Sequence, residues 1–132
     1  MPNVIPGPKL WFVPTNDRPR HAKADVGARL RAVRAALGVH QKVMAQALNV
    51  SPQAWSGWEN GRDLADPLVI ARAALRYGFT TDWIFLGRLT QLPGDLADEL
   101  ERRRPDLILG AAPDAEPAAD WDALAAPKRQ AG

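Results

Sequence analysis

Few side chains in this 132-residue chain could make or break a covalent bond. It contains no cysteine, so no thiolate nucleophile, disulfide frame or thiolate metal site is available. Its two histidines, His21 and His40, stand at no recognisable interval from a carboxylate that would form a metal or acid–base site. No glycine-rich phosphate loop and no nucleophile elbow occurs. Acidic pairs such as Asp98 and Glu99 read as the solvated side of a surface helix. Neither catalysis nor a cofactor or metal is therefore expected. What remains is recognition by hydrogen bonds and charge. The residues suited to it gather in one stretch, with Gln41, Lys42, Ser51, Gln53, Ser56, Asn60 and Arg62.

All but Arg62 lie in QKVMAQALNVSPQAWSGWEN, Gln41 to Asn60, which predicts two short helices joined by a tight turn. The first carries Val43, Met44, Ala45 and Leu48. Asn49 suits the turn, because asparagine adopts the left-handed backbone more readily than any residue but glycine. Ser51-Pro52 marks the second start: serine is a favoured N-cap, and proline at the first helical position loses no needed N–H. Trp55 and Trp58, three residues apart, mark the inner side of the second helix and leave Pro52, Gln53, Ser56 and Gly57 outward. Ala45 is small where the helices must cross closely. The layout is a helix-turn-helix.

Ala45, Asn49, Trp55 and Trp58, with the run Trp58-Glu59-Asn60-Gly61-Arg62 and Gln41 opening the first helix, resemble the phage-repressor (Cro/XRE-like) DNA-binding domains. The similarity runs from about Val26 to Gly87. It implies double-stranded DNA as the partner, with the helix Pro52–Glu59 in the major groove and Gln53, Ser56, Pro52 and Gly57 at the base-reading positions. Gln53 is the strongest of these, since its amide can donate and accept together against adenine N6 and N7. Pro52 offers only apolar contact, and Gly57 has nothing to read with, which departs from the family pattern. Phosphate contacts would fall to Gln41, Lys42, Ser51, Asn60 and Arg62. The resemblance also implies a structural ion pair between Arg34 and Glu59 that fixes the first helix to the recognition helix. A homodimeric repressor reading a palindrome is the family's usual mode.

The elements around this motif follow from caps and periodicity. A helix over Val26–Leu37, capped by Asp25 and ended by Gly38, has Val26, Leu30, Val33 and Leu37 on one face, with Arg29, Arg31 and Arg34 off that stripe. His40 is a poor cap for the next helix. Asp66-Pro67 starts a helix that runs to Tyr77, with Ile70, Ala74 and Tyr77 inward. Thr80 or Thr81 caps a short helix, Asp82–Leu86, with Trp83 and Leu86 inward. An all-α, five-helix repressor-like domain is expected over residues 25–88, its core including Leu30, Val33, Met44, Leu48, Trp55, Trp58, Ile70, Tyr77, Phe79 and Trp83. Residues 89–109 hold an accessory helix with Leu92, Leu96 and Leu100 spaced by four.

The ends read as flexible. Residues 1–24 carry five of the twelve prolines, and Arg18, Arg20 and Lys23 could form a minor-groove arm. Residues 110–132, rich in Ala, Pro and acid, read as a disordered tail. The net charge of +2 divides into +3 over residues 1–24, +3 over 25–92 and −4 over 93–132, a basic front with an acidic tail. No apolar run is long enough to span a membrane. A cytoplasmic protein associated with a bacterial or phage nucleoid is expected. The alternative is a protein-binding module, an antitoxin or adaptor, on the same fold. The weak side chains at Pro52 and Gly57, with Trp11, Phe12 and Trp121 in terminal segments that could hold a partner, favour that alternative.

Overall fold

The computed structural model describes residues 22–126. Among them are six α-helices and no strand: α1 (Lys23–Leu37), α2 (Gln41–Ala47), α3 (Pro52–Glu59), α4 (Pro67–Tyr77), α5 (Thr81–Leu86) and α6 (Gly94–Arg103), followed by one 3₁₀ turn, Pro105–Leu107. The described residues are all-α, as the helical periodicity led one to expect. Cap chemistry sets most boundaries. Asp66 accepts from the Leu68 and Val69 N–H groups, Thr80 accepts from Trp83, and Gly38, Gly78 and Gly87 close α1, α4 and α5 in the left-handed conformation. His40 makes no side-chain cap, so α2 is held by packing.

Helix α1 is the spine, packed against α3, α5 and α6. Val26, Leu30 and Val33 join Met44, Leu48, Trp55, Ile70, Phe79 and Trp83 in one core, with Trp58 and Tyr77 partly buried at its margin. Gly27 permits the α1–α3 crossing: a Cβ there would stand 2.2 Å from the Trp58 carbonyl oxygen and 2.8 Å from that of Glu59. Any side chain would force the two helices apart. Leu92, Leu96 and Leu100 are all buried, so the α6 stripe covers its own domain.

Five expectations need correction. Asp25 does not cap α1, which begins at Lys23 behind Ala22; it is buried in the first turn. Lys23 consequently belongs to α1, not to an arm, and its Nζ donates to the Arg62 carbonyl at 3.3 Å. Arg29, off the apolar stripe, is fully buried: its Nε donates to the Leu107 carbonyl at 3.0 Å, while the Trp83 indole N–H donates to the Arg29 carbonyl at 3.0 Å. In α5, Ile84 is buried while Leu86 is only half so.

The fifth correction concerns the tail. Residues 110–126 contain no helix, yet they are strapped across α1 and α6. Trp121 is half-buried between two guanidinium groups, Arg104 at 4.2 Å and Arg31 at 5.2 Å from the ring centroid. Arg31 pairs with Asp122 at 2.8 Å, and Arg103 donates to the Trp121 carbonyl at 2.8 Å and to that of Ala123. The Ala125 N–H reaches the Ala35 carbonyl at 2.9 Å, at the end of α1. Composition alone reads such a segment as unfolded; cation–π stacking and arginine-to-carbonyl bonds supply what its few apolar residues lack. Residues 1–21, with Trp11, Phe12, Arg18 and Arg20, and residues 127–132 lie outside the described residues.

Candidate nucleic-acid interface

The turn between α2 and α3 is built from Asn49 at φ 58°, with the Val50 N–H bonded to the Ala45 carbonyl at 2.9 Å. Ala45 is fully buried at the crossing. Ser51 accepts from the Ala54 N–H at 3.1 Å and starts α3, with Pro52 in its first turn. Trp55 is fully buried, and its ring meets the half-buried Trp58 ring at 5.4 Å between centroids.

Glu59, at the far end of α3, is the node that fixes this helix. Its side chain is 1% exposed. Arg34 of α1 donates to both carboxylate oxygens, Nε to Oε2 at 2.7 Å and Nη2 to Oε1 at 3.0 Å. Gln41 of α2 donates to Oε1 at 3.0 Å, and the Trp55 indole donates to Oε2 at 2.8 Å. One carboxylate thus joins three helices. Bidentate pairing with planar arginine is the geometry in which a buried ion pair is best compensated. An acid on α3 is therefore no obstacle to a polyanion, because its charge is spent inside.

The outer side of α3 is different. Pro52 and Gln53 are exposed, and Ser56 is half-buried, accepting from Asn60 Nδ2 at 3.2 Å so that its own O–H stays available. Gly57, expected outward and open, is buried instead. A Cβ there would lie 3.1 Å from Arg62 Nη2 and 3.0 Å from Asp63 Oδ2. The loop after α3 folds back over it, because the Arg62 and Asp63 N–H groups both bond the Gly57 carbonyl, at 2.9 and 3.3 Å. That return could not be read from a helical pattern, which projects residues 57 and 62 independently.

Of the cations and donors expected beside α3, Lys42, Ser51, Asn60 and Arg62 are exposed and Gln41 is partly so. Gln41 is the exception in its bonding, since one amide hydrogen is already committed to Glu59. A groove beside the turn is lined by Lys42, Gln46, Asn49, Val50, Ser51 and Pro52. Gln46 was missed by sequence reasoning. Its four-residue spacing from Lys42 puts the two on one side of α2 and would have pointed to it.

With this geometry in place, comparison with known proteins adds a class. Residues 25–83 match the family described as "Helix-turn-helix domain". Over that segment, from the first turn of α1 to Trp83 of α5, the chain is similar to helix-turn-helix domains. Among solved structures, the crystal structure of the clp gene regulator ClgR from C. glutamicum is similar over 63% of this chain and 99% of its own, at 24% identity and a TM-score of 0.46. No curated protein matches the chain.

Proposed function

We propose that this protein is a sequence-specific DNA-binding transcriptional regulator that reads double-stranded DNA with α3 in the major groove. One observation carries this reading: an eight-residue helix whose inner face is bonded to α1 and α2 through Glu59, while its outer face holds donors with unused capacity. Gln53 reads a base edge, Ser56 donates from its free O–H, and Pro52 offers apolar contact to a thymine methyl. Lys42, Ser51, Asn60 and the second amide hydrogen of Gln41 meet phosphates on either side. Action as a homodimeric repressor at a palindromic operator belongs to the same reading, as does residence in the cytoplasm. Among the described residues, no helix is long and apolar enough to cross a membrane.

A second copy would need an apolar contact, and the α6 leucines are already used internally. Among the exposed apolar residues Val43, Leu64, Leu68, Leu75 and Leu109, Leu68 and Leu75 on α4 are the most open, at 76% and 88%. The alternative, a protein-binding module, loses two of its supports: Trp121 is held by Arg31 and Arg104, and Gly57 lies beneath Arg62. Genome-wide occupancy of the tagged protein is the test. The expected result is one recurring palindrome with half-site centres spaced by about one helical turn, ~34 Å. Absence of any enriched motif, with a protein partner retained after nuclease treatment, would favour the module instead.

A further inference from the structure

Resting on the DNA-reading role just proposed, we infer that Arg62 is a base-reading residue, delivered to the major groove across the bare backbone of Gly57 and recognising guanine. The placement is unusual for a loop arginine. Gln53 and Gly57 are four residues apart, one above the other on α3. The Arg62 guanidinium covers both: Nη2 and Nε stand 3.1 and 3.5 Å from where a Gly57 Cβ would be, and Nη2 lies 3.5 Å from the Gln53 carbonyl oxygen. The fork therefore occupies the place that a side chain at residue 57 would take.

Three things favour a base edge over a phosphate as its target. Arginine's planar fork matches the paired acceptors O6 and N7 of guanine. The loop fixes the approach, since the Arg62 and Asp63 N–H groups both hold the Gly57 carbonyl and Lys23 holds the Arg62 carbonyl. Asp63 Oδ2 stands 3.0 Å from the same absent Cβ. A phosphate brought there would meet that carboxylate's like charge, whereas a neutral base edge would not. Glycine at residue 57, otherwise a cost within a helix, is then the condition for the arginine's approach.

The test selects duplexes from a random-sequence double-stranded DNA pool with the purified full-length chain, its R62K variant and its G57Q variant. Lysine keeps the charge and loses the fork. R62K should lose about a tenfold preference at one G·C pair of the half-site while every other position and the salt dependence stay unchanged. G57Q, whose new side chain meets only the movable ends of Arg62 and Asp63, should displace the guanidinium and change the preferred base at that same pair. If R62K keeps the full preference, and Arg62→Ala weakens all duplexes equally with a shallower salt slope, Arg62 is a phosphate contact and the inference fails. A wild-type chain that enriches no motif would sink the DNA reading itself. A motif whose every position survives both substitutions sinks only the role of Arg62.

Discussion

The two faces of α3 contrast in how far their polar groups are already bonded. On the inner face, Trp55, Trp58 and Glu59 are committed to rings, an arginine fork and an amide. On the outer face, Gln53 and Ser56 keep hydrogen-bonding capacity, and a folded-back arginine covers the one residue without a side chain. Inside, four donated hydrogen bonds to the Glu59 carboxylate confer rigidity; outside, donors with capacity to spare are what allow recognition. A reading helix requires both, because donors aimed at base edges discriminate only when their backbone is fixed.

The comparison can be broken most forcefully from the inside. Arg34→Ala leaves the Glu59 carboxylate buried without its cation and should cost roughly 3–5 kcal/mol, read as a lowered midpoint in thermal or denaturant unfolding. Glu59→Gln should likewise lower the melting temperature more than it alters sequence preference. A loss under about 1 kcal/mol for Arg34→Ala would mean that the node is ornamental. Trp121→Ala tests whether the strap belongs to the stable interior: about 2 kcal/mol should be lost with its ring contacts to Arg31 and Arg104, with DNA affinity unchanged. An unaltered denaturation curve would show the strap to be dispensable.

From the outside the effects should be smaller and of a different kind. Gln53→Ala should leave stability within about 0.5 kcal/mol of the parent. It should weaken binding to the preferred duplex by ~1–3 kcal/mol, measured by titration at fixed salt. Equal binding would reject the chosen surface. The smallest effect is expected far from α3. Glu99 accepts from Arg102 and Arg103, and those bonds hold its carboxyl below the ordinary value near 4.5. A depressed carboxyl stabilises the fold above its unfolded value and ceases to do so as pH falls through the folded one. Glu99→Gln should therefore cost about 0.5 kcal/mol at neutral pH, and the gap from the parent should close in acid. A gap that widens as pH falls would refute the assignment.

Much of the domain was legible because its signals are local. Ser51-Pro52, Asp66-Pro67 and Thr80 are caps whose chemistry acts within one helical turn, and Asn49 and Gly38 are turn residues for backbone reasons alone. The Arg34–Glu59 pair was also anticipated, though only through resemblance; nothing in a 25-residue separation announces it.

What sequence could not supply was every contact between distant segments. Arg29 reads as a surface arginine until the carbonyls of Ile84 and Leu107 are brought over it. The strap reads as disordered until Arg31, Arg103 and Arg104 converge on Trp121 and its carbonyl. Gly57 reads as a gap until the loop lays Arg62 across it. Caps, turns and periodicity were determined by the chain itself, since they depend on neighbours a few residues away. Which charges are buried, and which glycine is covered, was decided by tertiary structure alone, since long flexible arginines take their partners from whatever folding places within reach.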